Sequence, residues 1–202
     1  MIDACTQDRC LRLTINRPDK ANALTENMLS ELTEHIETSS AQVLILTGAG
    51  NVFSAGGDLN DVQGGDLANS PEWERLSGAV AAFEGLSVAA LNGTVAGGAL
   101  GMVLACDLRV AVPNAHFFYP VIKVGVLPPP SDPVRMVALA GPSLTKRILM
   151  TGAKITATEA LASGLVDVIS EDELMADVDE IIAPAIAASM DQLVAIKSLI
   201  EQ

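Results

Sequence analysis

Aromatic side chains are scarce in this sequence: one Trp, one Tyr and four Phe make up 3% of 202 residues. Its core must therefore be built from Ala, Val, Leu, Ile and Met. With 50% hydrophobic residues the chain is long and apolar enough for one sizeable domain. Basic side chains are scarce as well, 12 Lys and Arg against 25 Asp and Glu, for a net charge of −13. That balance excludes nucleic acid as the expected partner, because such affinity comes largely from cations neutralising phosphates. It also speaks against an anionic membrane surface, and the acidity reads as a solubilising one. Cysteine is limited to Cys5, Cys10 and Cys106, with no metal-ligand spacing, so no metal site is expected and a reducing, cytoplasmic compartment is. Asp3 and Asp8 fall where a secretory leader would be apolar. Residues 85–106 are uncharged and close to the ~20 residues that span a bilayer. Gly85, Gly93, Gly97, Gly98, Gly101, Ser87 and Asn92 break that run, so no membrane span is expected.

What is present is organised around Ala90 to Asp107. It reads as a buried strand, a sharp turn at Asn92-Gly93, and a glycine-rich helix start at Ala96–Ala99. The first N–H groups of a helix lack intrahelical partners. Such a turn can hold an oxyanion with backbone donors alone. A second unit of the same kind runs from Gln42-Val-Leu-Ile-Leu-Thr47, a strand buried on both faces, through Phe53-Ser-Ala-Gly-Gly-Asp-Leu59. Side by side, two such units bring two turns toward one point.

Other elements follow from local signals. Residues 10–16 alternate as a half-buried strand, Arg17 to Lys20 form a turn, and Thr25 caps a helix carrying Leu24, Met28, Leu32 and Ile36. Residues 63–69 are polar and Gly-rich and read as a mobile loop. Ser70-Pro71 opens a helix to about Glu84. Strands follow at 86–91, 108–112 and 165–169. Asp132-Pro133 pairs a cap residue with an N1 proline, and Gly141 closes that helix. Thr156-Ala-Thr-Glu159 is a capping box, with Gly164 past the helix end. The tail from Asp172 is helical, interrupted at Pro184. The pattern is α/β: a core over residues 1–170 and a C-terminal helical segment over 171–202.

Ile15 to Leu24, Leu46 to Gly50, Phe53 to Leu59, Asn92 to Arg109 and Gly152 to Val166 together resemble the crotonase (enoyl-CoA hydratase/isomerase) superfamily over nearly the whole chain. The resemblance implies a spiral, or superhelix, of ββα units that binds acyl-CoA thioesters, with coenzyme A part of the substrate and no separate cofactor. It implies a homotrimer or a hexamer built as a dimer of trimers. It places an oxyanion hole on the backbone N–H groups of Gly57 and Gly98. It lays the CoA-binding strip along Lys20, Ala21, Ala23 and Leu24, and along Ser54, Ala55, Gly56, Gly57, Asp58 and Leu59. Lys20 or Arg17 meets phosphate in that reading, or is an ordinary solvated turn charge.

The resemblance also implies two glutamates. Their places hold Gly101 and Val121, and neither can move a proton. Asp132 is the nearest substitute acid, although a capping role is preferred for it. Tyr119 reads as a proton donor or a core aromatic, and His116 as a surface or packed residue. Lys123 reads as a strand-end charge or a phosphate partner. Pro128-Pro-Pro-Ser131 replaces a glycine-rich loop and stiffens the acyl end of the pocket. After Ile200 the family's closing helices are expected to be absent or shortened, leaving apolar surface for an oligomer. The expected function is an acyl-CoA enzyme that stabilises a thioester enolate, with isomerase, decarboxylase or thioesterase chemistry open. The alternative is a non-catalytic acyl-CoA-binding or partner subunit.

Overall fold

Strand β1 (Ile2–Gln7) and strand β2 (Cys10–Ile15) form an antiparallel hairpin, joined by Asp8 and Arg9 with φ of 49° and 66°. Two positive-φ residues suit a tight hairpin turn. The computed structural model describes residues 1–58 and 67–200. Leu59 and residues 63–66 of the expected loop lie outside the described residues. Leu67–Asn69 form a turn of 3-10 helix.

Helix α1 (Glu26–Glu37) begins at Thr25, whose hydroxyl accepts the Met28 N–H at 3.4 Å. It buries Met28, Leu29, Leu32 and Ile36 at helical spacing. Strands β3 (Val43–Gly48) and β4 (Val52–Ser54) follow, then helix α2 (Glu72–Ala81). The Ser70 hydroxyl accepts the Glu72 N–H at 3.3 Å, with Pro71 as cap residue, so the helix starts one residue later than expected and stops short of Glu84. Strands β5 (Leu86–Leu91) and β6 (Thr94–Ala96) flank the Asn92-Gly93 turn. Helix α3 (Ala99–Ala105) comes next, so a short strand separates the turn from the helix. Strands β7 (Leu108–Ala111) and β8 (His116–Phe118) lead to a single helical turn, α4 (Val121–Val124). Helix α5 (Ser131–Thr151) contains a break at Gly141 (φ 76°, ψ 165°), where the helix was expected to close.

Strand β9 (Ile155–Thr156) and helix α6 (Ala157–Ser163) carry the expected capping box, with Gly164 left-handed at φ 82°. Strand β10 is shorter than expected, Val168–Ile169. The tail forms α7 (Leu174–Ala187) and α8 (Met190–Ile200), bent by 105°. Pro184 lies inside α7 and does not interrupt it; the break falls at the extended Ala188 (ψ 172°). Ser189 then caps α8, accepting the Gln192 N–H at 3.2 Å. No single described helix is long and apolar enough to cross a membrane.

The strands divide between two sheets. The larger has the order β1-β2-β3-β5-β7-β10, parallel from β2 onward, and the smaller has the order β4-β6-β8-β9. Each repeat sends its first strand to the large sheet and its second to the small one: β3 and β4, β5 and β6, β7 and β8. This is the spiral of ββα units that the resemblance implies. β3 is buried along its whole length because it is covered on both faces. Leu44 and Leu46 join the main core, while Val43 and Ile45 pack with Val178 and Ile182 of α7.

Candidate functional site

Because β4 and β6 pair in parallel, the glycine turns that follow them start at the same sheet edge. Gly56 has φ 89°, and a Cβ there would stand 2.7 Å from the Ala96 carbonyl oxygen; Gly97 has φ 56°. Only glycine permits this left-handed backbone at such close approach. The neighbouring amides are committed. Gly56 N–H donates to Ser54 Oγ at 3.1 Å, Asp58 N–H to the Leu24 carbonyl at 2.8 Å, and Gly97 N–H to the Phe118 carbonyl at 3.0 Å. The N–H groups of Gly57 and Gly98 have no acceptor among the described residues. Both glycines line one cleft of about 170 Å³.

The remaining walls of that cleft are mostly apolar: Trp73, Phe118, Pro120, Val121, Val126 and Leu127 are among them. No local pattern marks Trp73 as a site residue; its being the lone Trp of an aromatic-poor chain is the one signal for it. Its indole N–H donates to the Leu67 carbonyl at 2.8 Å, and its ring packs against Gly98, where a Cβ would come within 2.9 Å.

The two halves of the expected CoA strip lie against each other. Leu24 and Gly57 form a parallel bridge. Ala55 N–H donates to the Ala21 carbonyl at 2.9 Å, and Ser54 Oγ to the Asn22 carbonyl at 2.8 Å. Ala21 and Asn22 are both left-handed, with φ of 50° and 57°. Fully buried Asn22 donates to the carbonyls of Ala49 and Val52, fixing this turn on the β3–β4 loop. Leu24 and Ser54 are buried, with Ala23 and Asp58 nearly so, while Lys20 and Ala55 are exposed. Arg17 is tied inward, to Asp58 Oδ2 at 2.7 Å and the Ala23 carbonyl at 3.2 Å. That leaves Lys20 as the more accessible cation of the pair.

Asp132 does not cap its helix. Pro130 is the cap residue, and the first-turn Ser131 N–H donates instead to the Glu74 carboxylate of α2 at 3.4 Å, with Ser131 Oγ at 3.1 Å. The cap comes from a residue distant in sequence, and Asp132 turns inward. It is fully buried. A Cβ added at Gly101 would stand 2.8 Å from Asp132 Oδ1 and 3.0 Å from Oδ2, so this carboxyl fills the space that a side chain at Gly101 would enter. Tyr119, which lines the cleft, donates its hydroxyl to Asp132 Oδ2 at 2.9 Å. Asp132 Oδ1 is buried with no hydrogen-bond partner among the described residues. Burial pushes the Asp132 carboxyl up to about 7, against the hydrogen bond from Tyr119 and the charge of Arg135. Burial, then the neighbouring Asp132 charge, holds the Tyr119 phenol far above its usual range.

The other candidates lie elsewhere or are occupied. His116 sets Nδ1 3.0 Å from the Asn114 carbonyl. Lys123 sits on the α4 turn rather than at a strand end, its Nζ donating to the Gly152 carbonyl at 3.1 Å. Asp107 ties β5 to the C-terminal helix, accepting from Ser87 and from Lys197 Nζ at 2.9 Å. Among the described residues no group of three or more His, Cys, Asp or Glu is placed to hold a metal ion.

Comparison with known proteins gives this arrangement a family. Residues 6–202 match the family model described as enoyl-CoA hydratase/isomerase. The chain is 37% identical over 177 residues to the 2,3-dehydroadipyl-CoA hydratase of Escherichia coli K12, covering 82% of this chain and 68% of that protein. It is 31% identical over 185 residues to the crotonyl-CoA hydratase of Syntrophomonas wolfei, covering 87% and 71%. Its fold superposes with a TM-score of 0.91 on a putative enoyl-CoA hydratase from Thermobifida fusca solved in complex with CoA, at 25% identity, covering 100% of this chain and 84% of that one. The two facing glycine turns thus sit in a chain that belongs to the enoyl-CoA hydratase/isomerase family, the crotonase superfamily.

Proposed function

We propose that this protein is an acyl-CoA enzyme in which the N–H groups of Gly57 and Gly98 receive the thioester carbonyl oxygen as an enolate forms. The observation that carries the reading is a pair of N–H groups with no acceptor among the described residues, on facing turns that both open on one apolar cleft. Donors fixed before the charge develops need no reorganisation, and they act strongly where water is excluded. The CoA thioester is supported by the relatives named as CoA-ester hydratases and by the CoA-bound structural neighbour.

In this reading the CoA moiety lies along the exposed edge of the strip, at Lys20, Ala21, Ala55 and Gly57, with Ala23, Leu24, Ser54, Gly56 and Asp58 shaping it from beneath. Leu59 extends that strip beyond the described residues. Tyr119 is the proton-transfer group that faces the cleft, and Asp132 acts behind it. No cofactor is required beyond the thioester itself. Exposed Ile122, Val124, Leu127, Leu199 and Ile200 are the apolar surface through which we assign a homotrimer or hexamer. The free thiols of Cys5, Cys10 and Cys106 fit a reducing cytoplasm.

A non-catalytic acyl-CoA-binding subunit is the second reading, and Gly101 and Val121 favour it because neither carries a titratable group. Incubation with enoyl-, hydroxyacyl- and malonyl-type CoA esters, followed by mass spectrometry, separates the two. Turnover supports the enzyme, and micromolar binding without turnover of any ester supports the subunit. The hole itself is tested by Gly98→Pro in a Trp73→Leu background, which makes room for the ring, beside Gly98→Ala in the same background. The proline lacks the donor and should cost about 10²–10³ in rate, while the alanine retains it. Equal rates for the two folded variants would remove Gly98 from the hole.

A further inference from the structure

Helix α5 begins without a capping side chain of its own: Pro130 is its cap residue and offers no acceptor to the first turn. Asp132, with Pro133 after it, is the residue of that segment best suited to cap a helix. It does not, because the acceptor comes from α2. Glu74 takes the Ser131 N–H at 3.4 Å and the Ser131 hydroxyl at 3.1 Å, and so sets a carboxylate at the positive end of α5. Arg135, one turn on, donates to Ser131 Oγ at 2.6 Å and closes the cluster. With the helix end satisfied from outside, Asp132 turns inward. It accepts the Tyr119 hydroxyl at 2.9 Å and fills the space beside Gly101.

The first turn of α2 is well placed for this task. Glu72 accepts from Ser30 Oγ of α1 at 2.9 Å, which moors the turn on one side. Trp73 packs its ring on Gly98. Glu74 reaches α5 on the other side. Consecutive residues of one helix thus brace Gly98 and the helix end that carries Asp132. Glu74 is not among the residues that line the cleft, so it touches no substrate held there. We propose that Glu74 is a positioning residue: by capping α5 from another helix, it keeps Asp132 out of the capping position and against Tyr119. Without it, Asp132 is the strongest acceptor that remains in that turn. It swings out to the free N–H groups and leaves both the Tyr119 hydroxyl and the space beside Gly101. Any effect on turnover rests on the reading of Tyr119 and Asp132 as the proton-transfer pair; the placement does not.

Two substitutions separate placement from charge. Glu74→Met keeps the length of the side chain and removes the acceptor, and Glu74→Ala serves in its place should that protein not fold. Glu74→Gln removes the charge and keeps the acceptor. The groups acting on the Asp132 carboxyl are Tyr119 from the segment before α4, Arg135 on α5 itself and Glu74 on α2, while α3 faces it with Gly101, which carries no charge. The first measurement needs no substrate: urea midpoints at unit pH steps from 4 to 8. The wild type loses stability across this range as the buried carboxyl, raised to about 7, ionises. Glu74→Met should lack that decline, because an Asp132 exposed at the helix end titrates near the ordinary carboxylate range whether folded or unfolded. Glu74→Gln should keep it. The second measurement adds Gly101→Ala, which should destabilise the wild type and Glu74→Gln but not Glu74→Met. A decline retained in folded Glu74→Met overturns the proposal. Loss of the decline in Glu74→Gln as well assigns the effect to charge and overturns it equally. The third measurement is steady-state turnover of crotonyl-CoA, 3-hydroxybutyryl-CoA and malonyl-CoA. Glu74→Met should lower kcat by about 10², the scale for a group displaced by an ångström or more, with KM nearly unchanged and with Glu74→Gln restoring most of the rate. A rise in KM in place of the fall in kcat overturns the link to proton transfer. Turnover of none of the three esters, with the first two measurements as expected, removes the enzyme reading and leaves Glu74 as the residue that places Asp132.

Discussion

Asp132 occupies the space that Gly101 leaves: a Cβ at residue 101 would stand 2.8 Å from Asp132 Oδ1. A carboxyl from the first turn of α5 thus reaches the inner face of α3, one helical turn after Gly98. The absence of a side chain at 101 and the presence of an acid at 132 form one arrangement. The acid arrives from another helix rather than from the residue itself.

Gly101→Ala tests that arrangement through stability. In the wild type the added methyl forces the buried carboxyl to shift, which costs about 1–3 kcal/mol and outweighs the ~0.5–1 kcal/mol that alanine gains over glycine in a helix. In an Asp132→Ala background the methyl has room, and the sign reverses to a gain of about 0.5–1 kcal/mol. Urea midpoints of the four proteins give the coupling directly. The same change in both backgrounds would show that the carboxyl does not fill the space beside residue 101.

The glycine turns allow a cleaner comparison. Gly56→Ala places a Cβ 2.7 Å from the Ala96 carbonyl oxygen at φ 89°, where backbone meets backbone and neither can yield cheaply. Gly78, inside α2, has nothing within 4 Å of its added Cβ. Gly78→Ala is expected to stabilise by about 0.5–1 kcal/mol, and Gly56→Ala to destabilise by about 2 kcal/mol or more while lowering CoA-ester affinity. Thermal melts and ester titrations of the two variants check both signs. A folded Gly56→Ala with unchanged affinity would detach that turn from the ligand.

What was legible in the sequence was mostly local. Thr25, the Thr156–Glu159 capping box and Gly164 follow from hydrogen bonds within a few residues. The turns at Gly57 and Gly98 follow from glycines after buried strands. The hairpin between β1 and β2 escaped because Asp8 and Arg9 hold positive φ without a glycine to announce it. Pro133 makes Asp132 look like a cap, but Glu74, far away in sequence, supplies the acceptor at that helix end. Pro184 signals a break, yet α7 continues past it to Ala187. The Tyr119–Asp132 hydrogen bond spans two elements whose approach depends on the whole spiral, so no local pattern predicts it.

Arg17 joins the two halves of the strip. Its bond to Asp58 is charge-assisted and half-buried, at 2.7 Å, and a second bond reaches the Ala23 carbonyl. Hydrogen bonds to charged groups contribute about 1.5–3 kcal/mol. Arg17→Met keeps much of the packing and loses both bonds, so it should lower stability by about 1–2 kcal/mol. It should also raise KM for CoA esters more than it lowers kcat, because it loosens the strip rather than the hole. Denaturation and steady-state kinetics measure these together. A loss confined to kcat would place Arg17 in the chemistry instead.

The titration of Asp132 sets a pH dependence of stability opposite to that of a salt-bridged carboxylate. Its carboxyl is raised to about 7 in the folded protein, chiefly by burial. Between the ordinary carboxylate range near 4 and that value, the folded state holds a proton that the unfolded chain has released. Stability therefore falls as pH rises through this window, and the loss is complete above about pH 7. Asp132→Asn stays neutral throughout and keeps an acceptor for the Tyr119 hydroxyl. Its stability curve should lack this decline, so the variant gains on the wild type as pH rises from 4 to 8. Chemical denaturation at unit pH steps measures the difference between the two curves. Parallel curves would mean that Asp132 is ionised when folded.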